Sequence, residues 1–181
     1  MHDEADLLRM ASFILKLSPT VEGDIVECGA YNGGGTCKLS FIAKITNRKL
    51  IVCDSFEGLP DVLENEWNYF KKGDYSAAQS VFNSNVSKFG CPDHLEILPG
   101  WFDQTLPTLK GRKFVAIFED ADIYESVKCC LDNLWDGLQP GCRMYTHEMH
   151  RPLALVVYGE RGLIVKRDGK RSGRLGYVTK L

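Results

Sequence analysis

Two hydrophobic periods alternate along this chain. Short runs rich in Ile, Val, Leu and Phe, bounded by Gly, Pro or charge, lie at Asp24 to Cys28, Leu50 to Asp54, Leu95 to Leu98 and Phe114 to Glu119, and predict strands. Apolar residues at helical spacing lie at Asp3 to Lys16 (Leu7, Leu8, Ala11, Ile14, Leu15), Thr36 to Ile45, Ser76 to Phe89 and Glu125 to Leu138. Strand followed by helix, repeated, predicts right-handed crossovers: a doubly wound, mostly parallel α/β sheet with helices on both faces. A fifth strand, Arg143 to Thr146, is expected after the turn signal Gln139-Pro140-Gly141. The tail changes style, with a short helix at Leu153 to Tyr158. Strands at Gly162 to Arg167 and Leu175 to Thr179 then form a hairpin through Asp168-Gly169-Lys170-Arg171-Ser172-Gly173. The seven strands make one sheet ending in an antiparallel pair. Ser55 to Asp74 has no clear period yet holds Phe56, Leu59, Leu63, Trp67, Tyr69 and Phe70, as either a lid or irregular packing would.

Composition narrows the class. The length of 181 residues, with 44% hydrophobic, suits one domain spanning the whole chain. A formal charge of -2 provides no global field toward nucleic acid or an anionic membrane. The acidic start and the absence of any apolar run of ~20 residues predict a soluble, cytoplasmic protein. Seven cysteines without a C-x-x-C pair fit a reducing compartment, and Cys28, Cys53 and Cys130 sit where a thiol packs as a small hydrophobe.

Candidate chemistry gathers at the strand ends, where ligands bind in such sheets. The first strand closes on Glu27-Cys28-Gly29, and the next helix opens near Gly33-Gly34-Gly35-Thr36. Glycines there permit a sharp turn and close approach of a ligand to main-chain N–H groups. The spacing of Gly29, Gly33 and Gly35 is not that of a dinucleotide fingerprint, which weighs against a nicotinamide oxidoreductase. The second strand ends in Asp54, about 20 to 30 residues after the glycine turn, where a carboxylate can accept both hydroxyls of a ribose; an N-cap role for Asp54 is the structural alternative.

Four motifs, in order and spacing, resemble the macrocin and mycinamicin O-methyltransferase family. They are Val26-Glu27-Cys28-Gly29-Ala30-Tyr31-Asn32-Gly33-Gly34, Asp54-Ser55-Phe56-Glu57-Gly58-Leu59-Pro60, Gly100-Trp101-Phe102-Asp103-Gln104-Thr105-Leu106-Pro107 and Asp120-Ala121-Asp122-Ile123-Tyr124-Glu125-Ser126. The resemblance covers roughly residues 20 to 150 and implies a Rossmann-like class I methyltransferase fold using S-adenosylmethionine. It implies that Gly29, Tyr31, Asn32, Gly33 and Thr36 surround the methionine part of the cofactor, and Glu27 beside the glycine turn is a further candidate cofactor-binding residue. Asp54 would take the ribose, Ser55 and Phe56 would neighbour the adenosine, Gly100, Trp101 and Phe102 would flank the adenine, and Asp120 would complete the site. The family places three aspartates around Mg²⁺, and the cation expected here is Mg²⁺ or Mn²⁺. Asp120 matches the first, but the Asp-Asp pair falls at His147-Glu148, a departure.

Asp120, His147 and Glu148 are therefore the candidate metal ligands, with a surface ion pair and a hydrogen-bonded histidine as the structural alternative. Asp120 and His147 are the candidate catalytic pair. His147-Glu148-Met149-His150 is not a metallopeptidase helix, because H-E-x-x-H needs its second histidine where Arg151 stands. The expected partner is a small hydroxylated acceptor such as a sugar. The relatives' longer amino ends imply a substrate cover that this chain would lack or share with a second subunit as a homo-oligomer. Basic tail residues (Arg161, Lys166, Arg167, Lys170, Arg171, Arg174, Lys180) are expected to be solvated charge, and the absence of an Asp-Pro-Pro-Tyr segment weighs against a flipped-base substrate. A non-catalytic S-adenosylmethionine-binding protein with a degenerate metal pair is the alternative function.

Overall fold

A computed structural model describes residues 4–66, 69–169 and 174–181. The hairpin tip at Lys170 to Gly173 and Trp67 lie outside the described residues. Strands β1 (Asp24–Cys28), β2 (Leu50–Asp54), β3 (Leu95–Pro99), β4 (Phe114–Glu119), β5 (Leu138–Thr146), β6 (Lys166–Arg167) and β7 (Gly176–Thr179) form one sheet in the order β3-β2-β1-β4-β5-β7-β6. The first five are parallel; β7 runs antiparallel to β5 and to β6. This is the predicted Rossmann-like class I methyltransferase architecture.

The central strands β1, β2 and β4 are buried along nearly their whole length, as continuous apolar runs covered on both faces must be. Helices α1 (Glu4–Leu15), α2 (Gly34–Ile45) and α3 (Gln79–Phe89) pack on one another, as do α4 (Phe102–Thr105), α5 (Tyr124–Leu134) and α6 (Pro152–Glu160). The chain winds from β1 out to β3, then returns to β4 and β5. Right-handed crossovers in opposite directions place the two helix groups on opposite faces. At the other end of the sheet Arg112 ties β1 to β3, reaching Asp24 at 2.9 Å and Glu96 at 2.6 Å.

Several boundaries differ from expectation; the helix expected from Ser76, for one, starts at Gln79. Gln139-Pro140-Gly141 does not end in a turn: Leu138 already pairs with Phe114, and the ladder resumes at Arg143 opposite Ala116. The extra residues bulge out, with Gly141 at φ 77° and its N–H on the Lys180 carbonyl, so a proline is tolerated inside a strand. Helix α5 accordingly stops at Leu134, followed by a 3-10 turn over Trp135–Gly137. Of the expected strand Gly162 to Arg167 only Lys166–Arg167 pairs. Ser55 to Asp74 is irregular, apart from a 3-10 turn at Glu64–Glu66. The Leu59 N–H donates to the Asp74 carbonyl, the Gly73 N–H donates to the Leu59 carbonyl, and Leu59 and Phe70 pack on Ile123 in a small core of their own.

Candidate active site

Five parallel strands point their carboxyl ends at one cavity of about 1060 Å³. Its wall takes Gly29 after β1, Asp54 at the end of β2, Trp101 after β3, Asp120 after β4, and His147 and Glu148 after β5. Single-ligand pockets run to about 1,000 Å³ at the upper end, so the space admits two molecules side by side.

The glycine turn is built by Asp54. Its Oδ2 accepts the N–H groups of Ala30 at 2.6 Å and Tyr31 at 2.8 Å, while Oδ1 accepts that of Phe56 at 2.7 Å. One carboxylate thus holds the turns after β1 and β2 together, and Tyr31 is kept at φ 50°. Gly29, at φ 86°, has room for no side chain, because a Cβ there would overlap the Asp120 carbonyl oxygen.

Behind this turn Glu27 is fully buried. Its Oε2 accepts the Thr36 hydroxyl at 2.6 Å, while Oε1 has no hydrogen-bond partner. Burial pushes the Glu27 carboxyl up to about 8, against the Thr36 hydrogen bond, with Asp120 and Asp54 adding repulsion. An unpaired oxygen on a buried carboxylate is costly unless a donor completes it. At the end of β4 Glu119 is likewise buried, accepting the Ala121 N–H at 3.0 Å and the Tyr158 hydroxyl at 3.0 Å.

The trio expected to hold a cation does converge. One ligand atom each from Asp120, His147 and Glu148 lies within 4.8 Å of the others, and His147 Nδ1 stands 3.1 Å from Asp120 Oδ1. His147 and Glu148 are buried, and Glu148 Oε2 makes no hydrogen bond. Burial, then the charges of Glu119, Asp120 and Asp122, hold the Glu148 carboxyl well above its usual range. Asp122 is pushed up to about 7, by burial first and Asp120 second. Such a set of one imidazole and two carboxylates fits a divalent cation, whose charge would relieve this crowding.

Of the expected site residues, Gly29, Tyr31, Asn32, Asp54, Ser55, Trp101, Phe102, Asp120, His147 and Glu148 line the cavity. Glu27, Gly33, Thr36, Phe56 and Gly100 do not. Gly33 sits at φ 85°, and a Cβ on it would face the Phe82 ring at 3.0 Å, so its smallness serves α2–α3 packing; Gly34 and Gly35 stand on the wall instead. Phe56 packs on Phe82 with ring centroids 5.2 Å apart, and Gly100 donates its N–H to the Asp54 carbonyl. The Ser55 hydroxyl is engaged locally, between the Glu57 N–H and the Gly58 carbonyl.

Further wall residues that the sequence did not assign to the site are Asp122, Tyr75, His150 and Arg151, and Arg174, expected to be solvated tail charge, also stands on the wall. Asp122 was legible as the second acid of Asp120-Ala121-Asp122, whereas Arg151 and Arg174 sit on irregular segments with no periodic signal. Glu66 is buried, its Oε1 accepting the Tyr124 N–H at 2.9 Å.

Residues 9–148 match the macrocin-O-methyltransferase (TylF) family. The chain belongs to that family. Among curated relatives, the 8-demethyl-8-(2,3-dimethoxy-alpha-L-rhamnosyl)-tetracenomycin-C 4'-O-methyltransferase of Streptomyces olivaceus is 32% identical over 136 residues, covering 69% of this chain and 52% of its own. The mycinamicin III 3''-O-methyltransferase of Micromonospora griseorubida is 28% identical over 134 residues, covering 67% and 53% respectively. This TylF-family chain therefore spans about half the length of the curated relatives it matches. In three dimensions it superimposes on the O-methyltransferase NovP with a TM-score of 0.84 at 22% identity, over 96% of this chain and 78% of that one, a likeness of fold.

Proposed function

We propose that the cavity binds S-adenosylmethionine across the ends of β1, β2 and β3 and a small hydroxylated acceptor across the ends of β4 and β5, for O-methyl transfer. One observation supports this above the others. Glu27 Oε1 is a buried acceptor without a donor, set behind a glycine turn at the start of a helix, which is where an α-amino group beside a carboxylate would satisfy both charges. The named acceptors of the two relatives, a rhamnosyl tetracenomycin and mycinamicin III, point to a sugar hydroxyl.

Bound S-adenosylmethionine supplies a methyl group on a sulfonium, which must lie in line with the attacking oxygen. This chain's residues do the rest. Glu27, just behind the cavity wall, would receive the cofactor's ammonium, and the first amides of α2, at Gly34 and Gly35, would hold its carboxylate. Asp54 has lone pairs beyond those its three backbone donors use, and these would accept the ribose hydroxyls. Trp101 offers an aromatic face at the end of β3 for the adenine.

Next to the acceptor, Asp120 holds His147 through Nδ1, and without a cation this pair would receive the hydroxyl proton. Asp120, His147 and Glu148 would hold a Mg²⁺ or Mn²⁺ ion, whose chemistry is to acidify a coordinated hydroxyl. Placing both reactants in one enclosed cavity supplies the positioning part of the rate. The test is transfer of a labelled methyl group from S-adenosylmethionine to rhamnosylated acceptors. Label in the sugar is expected. Cofactor binding without turnover on any hydroxylated acceptor would favour the non-catalytic alternative.

A further inference from the structure

We infer that Asn85, on helix α3, is a positioning residue for the cofactor: through the carbonyl of Asn32 it fixes the direction in which the glycine turn offers its N–H groups. The inference rests on the reading that this turn receives S-adenosylmethionine, and it adds a residue that acts from outside the cavity. Asn85 Nδ2 donates to the Asn32 carbonyl at 2.8 Å. Asn32 lines the cavity, whereas Asn85 is not among the lining residues.

The turn needs support from its surroundings. Tyr31 stands at φ 50°, a left-handed conformation that disfavours a residue with a Cβ, and Gly33 stands at φ 85°. Backbone kept in such regions persists where neighbouring structure over-determines it. Three groups do so here. The Ala30 carbonyl accepts the Gly33 N–H at 2.8 Å and closes the turn on itself. Asp54 takes the N–H groups of Ala30 and Tyr31 from the β2 side. Asn85 takes the Asn32 carbonyl from the α3 side.

The peptide between Asn32 and Gly33 is the one that matters for a ligand. Its N–H is engaged by Ala30 and its carbonyl by Asn85, so it cannot rotate without breaking both bonds. Helix α2 begins at the next residue. The Cys37 N–H donates to the Gly33 carbonyl at 2.9 Å, and the N–H groups of Gly34, Gly35 and Thr36 precede the first acceptor the helix can offer them. Gly34 and Gly35 stand on the cavity wall. The peptide that Asn85 pins therefore sets the aim of the amides proposed to hold the cofactor's carboxylate.

Helix α3 is placed to do this by its apolar side. Phe82 and Val86, its buried residues, lie three before and one after Asn85, and a Cβ on Gly33 would meet their side chains at 3.0 Å and 3.4 Å. Phe82 also packs on Phe56, with ring centroids 5.2 Å apart. These contacts bring α3 up to the turn but carry no direction; the amide of Asn85 supplies it.

Two substitutions separate the donor from the packing. Asn85→Leu keeps the size and removes the donor, while Asn85→Gln keeps the donor. Calorimetry with S-adenosylhomocysteine, at a temperature where each protein is folded, is expected to show binding about three- to tenfold weaker in Asn85→Leu, the scale of one neutral hydrogen bond. Asn85→Gln should recover part of that loss, and Asn83→Leu, a surface control on the same helix, should bind as the parent does. Amide hydrogen exchange of the ligand-free proteins should be faster across residues 30–36 in Asn85→Leu and unchanged across β4 and α5. Parental affinity in Asn85→Leu, an equal loss in Asn83→Leu, or faster exchange spread evenly over the protein would overturn the inference. Failure of the parent to bind S-adenosylhomocysteine would contradict the proposed function instead. Exchange alone would then decide the grip on the turn: faster exchange of residues 30–36 in Asn85→Leu would uphold it, and unchanged exchange would remove it.

Discussion

Thr36 donates its hydroxyl to Oε2 of Glu27 at 2.6 Å and leaves Oε1 of that carboxylate buried and unpartnered. Among the described residues Glu66 and Glu148 also leave a buried carboxylate oxygen unpartnered, but Glu27 alone of the three stands behind the glycine turn. Glu27→Gln should weaken S-adenosylhomocysteine binding by about 1.5–3 kcal/mol, the range for a hydrogen bond to a charged group. Parental affinity in Glu27→Gln would remove Glu27 from the site.

The same residue sets a pH dependence. Unfolded, Glu27 loses its proton near 4.5; folded, it keeps it to about 8. Between those values the native state binds more protons than the unfolded state, so this group's contribution to stability falls as pH rises from 4.5 to 8. Melting temperatures across that window should decline less steeply in Glu27→Gln than in the parent. Ligand affinity should move the other way, rising toward pH 8 as the carboxylate ionises to meet the ammonium. Identical melting profiles for the two proteins would contradict this assignment.

Asp54 carries two duties, holding Ala30, Tyr31 and Phe56 while facing the cavity. Asp54→Ala should therefore cost about 1–3 kcal/mol of folding stability, through backbone donors left without an acceptor, as well as cofactor affinity. Denaturant unfolding read alongside calorimetry separates the two effects. Loss of affinity at unchanged stability would mean that the turn does not depend on this carboxylate.

How far the sequence was legible follows from what each segment obeys. Strands Asp24–Cys28, Leu50–Asp54 and Phe114–Glu119 were readable to the residue because they are buried on both faces, which forces an unbroken apolar run. The bulge at Gln139 to Cys142 was not readable, since Pro-Gly signals a turn locally and only pairing with β4 and the tail keeps it in the sheet. In the site, strand-end residues were found because position alone marks them. Arg151 and Arg174 were not, because tertiary contacts with Phe70 and Met149 bring them there.

Gly33 shows the same division. Its place in the glycine turn suggested a backbone facing the cofactor, yet its open side faces Phe82. Gly33→Ala should destabilise the fold by about 1–2 kcal/mol from the left-handed backbone alone, with further cost from the ring contact. A melting temperature equal to the parent's would contradict this packing role.

For the cation, chelator-treated protein titrated with Mn²⁺ and Mg²⁺ should prefer Mn²⁺, because His147 contributes an imidazole where the family has a carboxylate. Affinity should fall at acid pH, since binding displaces protons from its ligands. His147→Ala should lower it at least tenfold. No binding of either ion, with S-adenosylhomocysteine still bound, would leave Asp120 and His147 as a metal-free base.

The most direct measurement is calorimetric titration of the purified protein with S-adenosylhomocysteine and, separately, with NADH. The cavity geometry predicts one S-adenosylhomocysteine per chain at micromolar affinity and no heat from NADH. Binding of NADH, or of neither ligand, would contradict the assignment of the β1–β3 end of the cavity to S-adenosylmethionine.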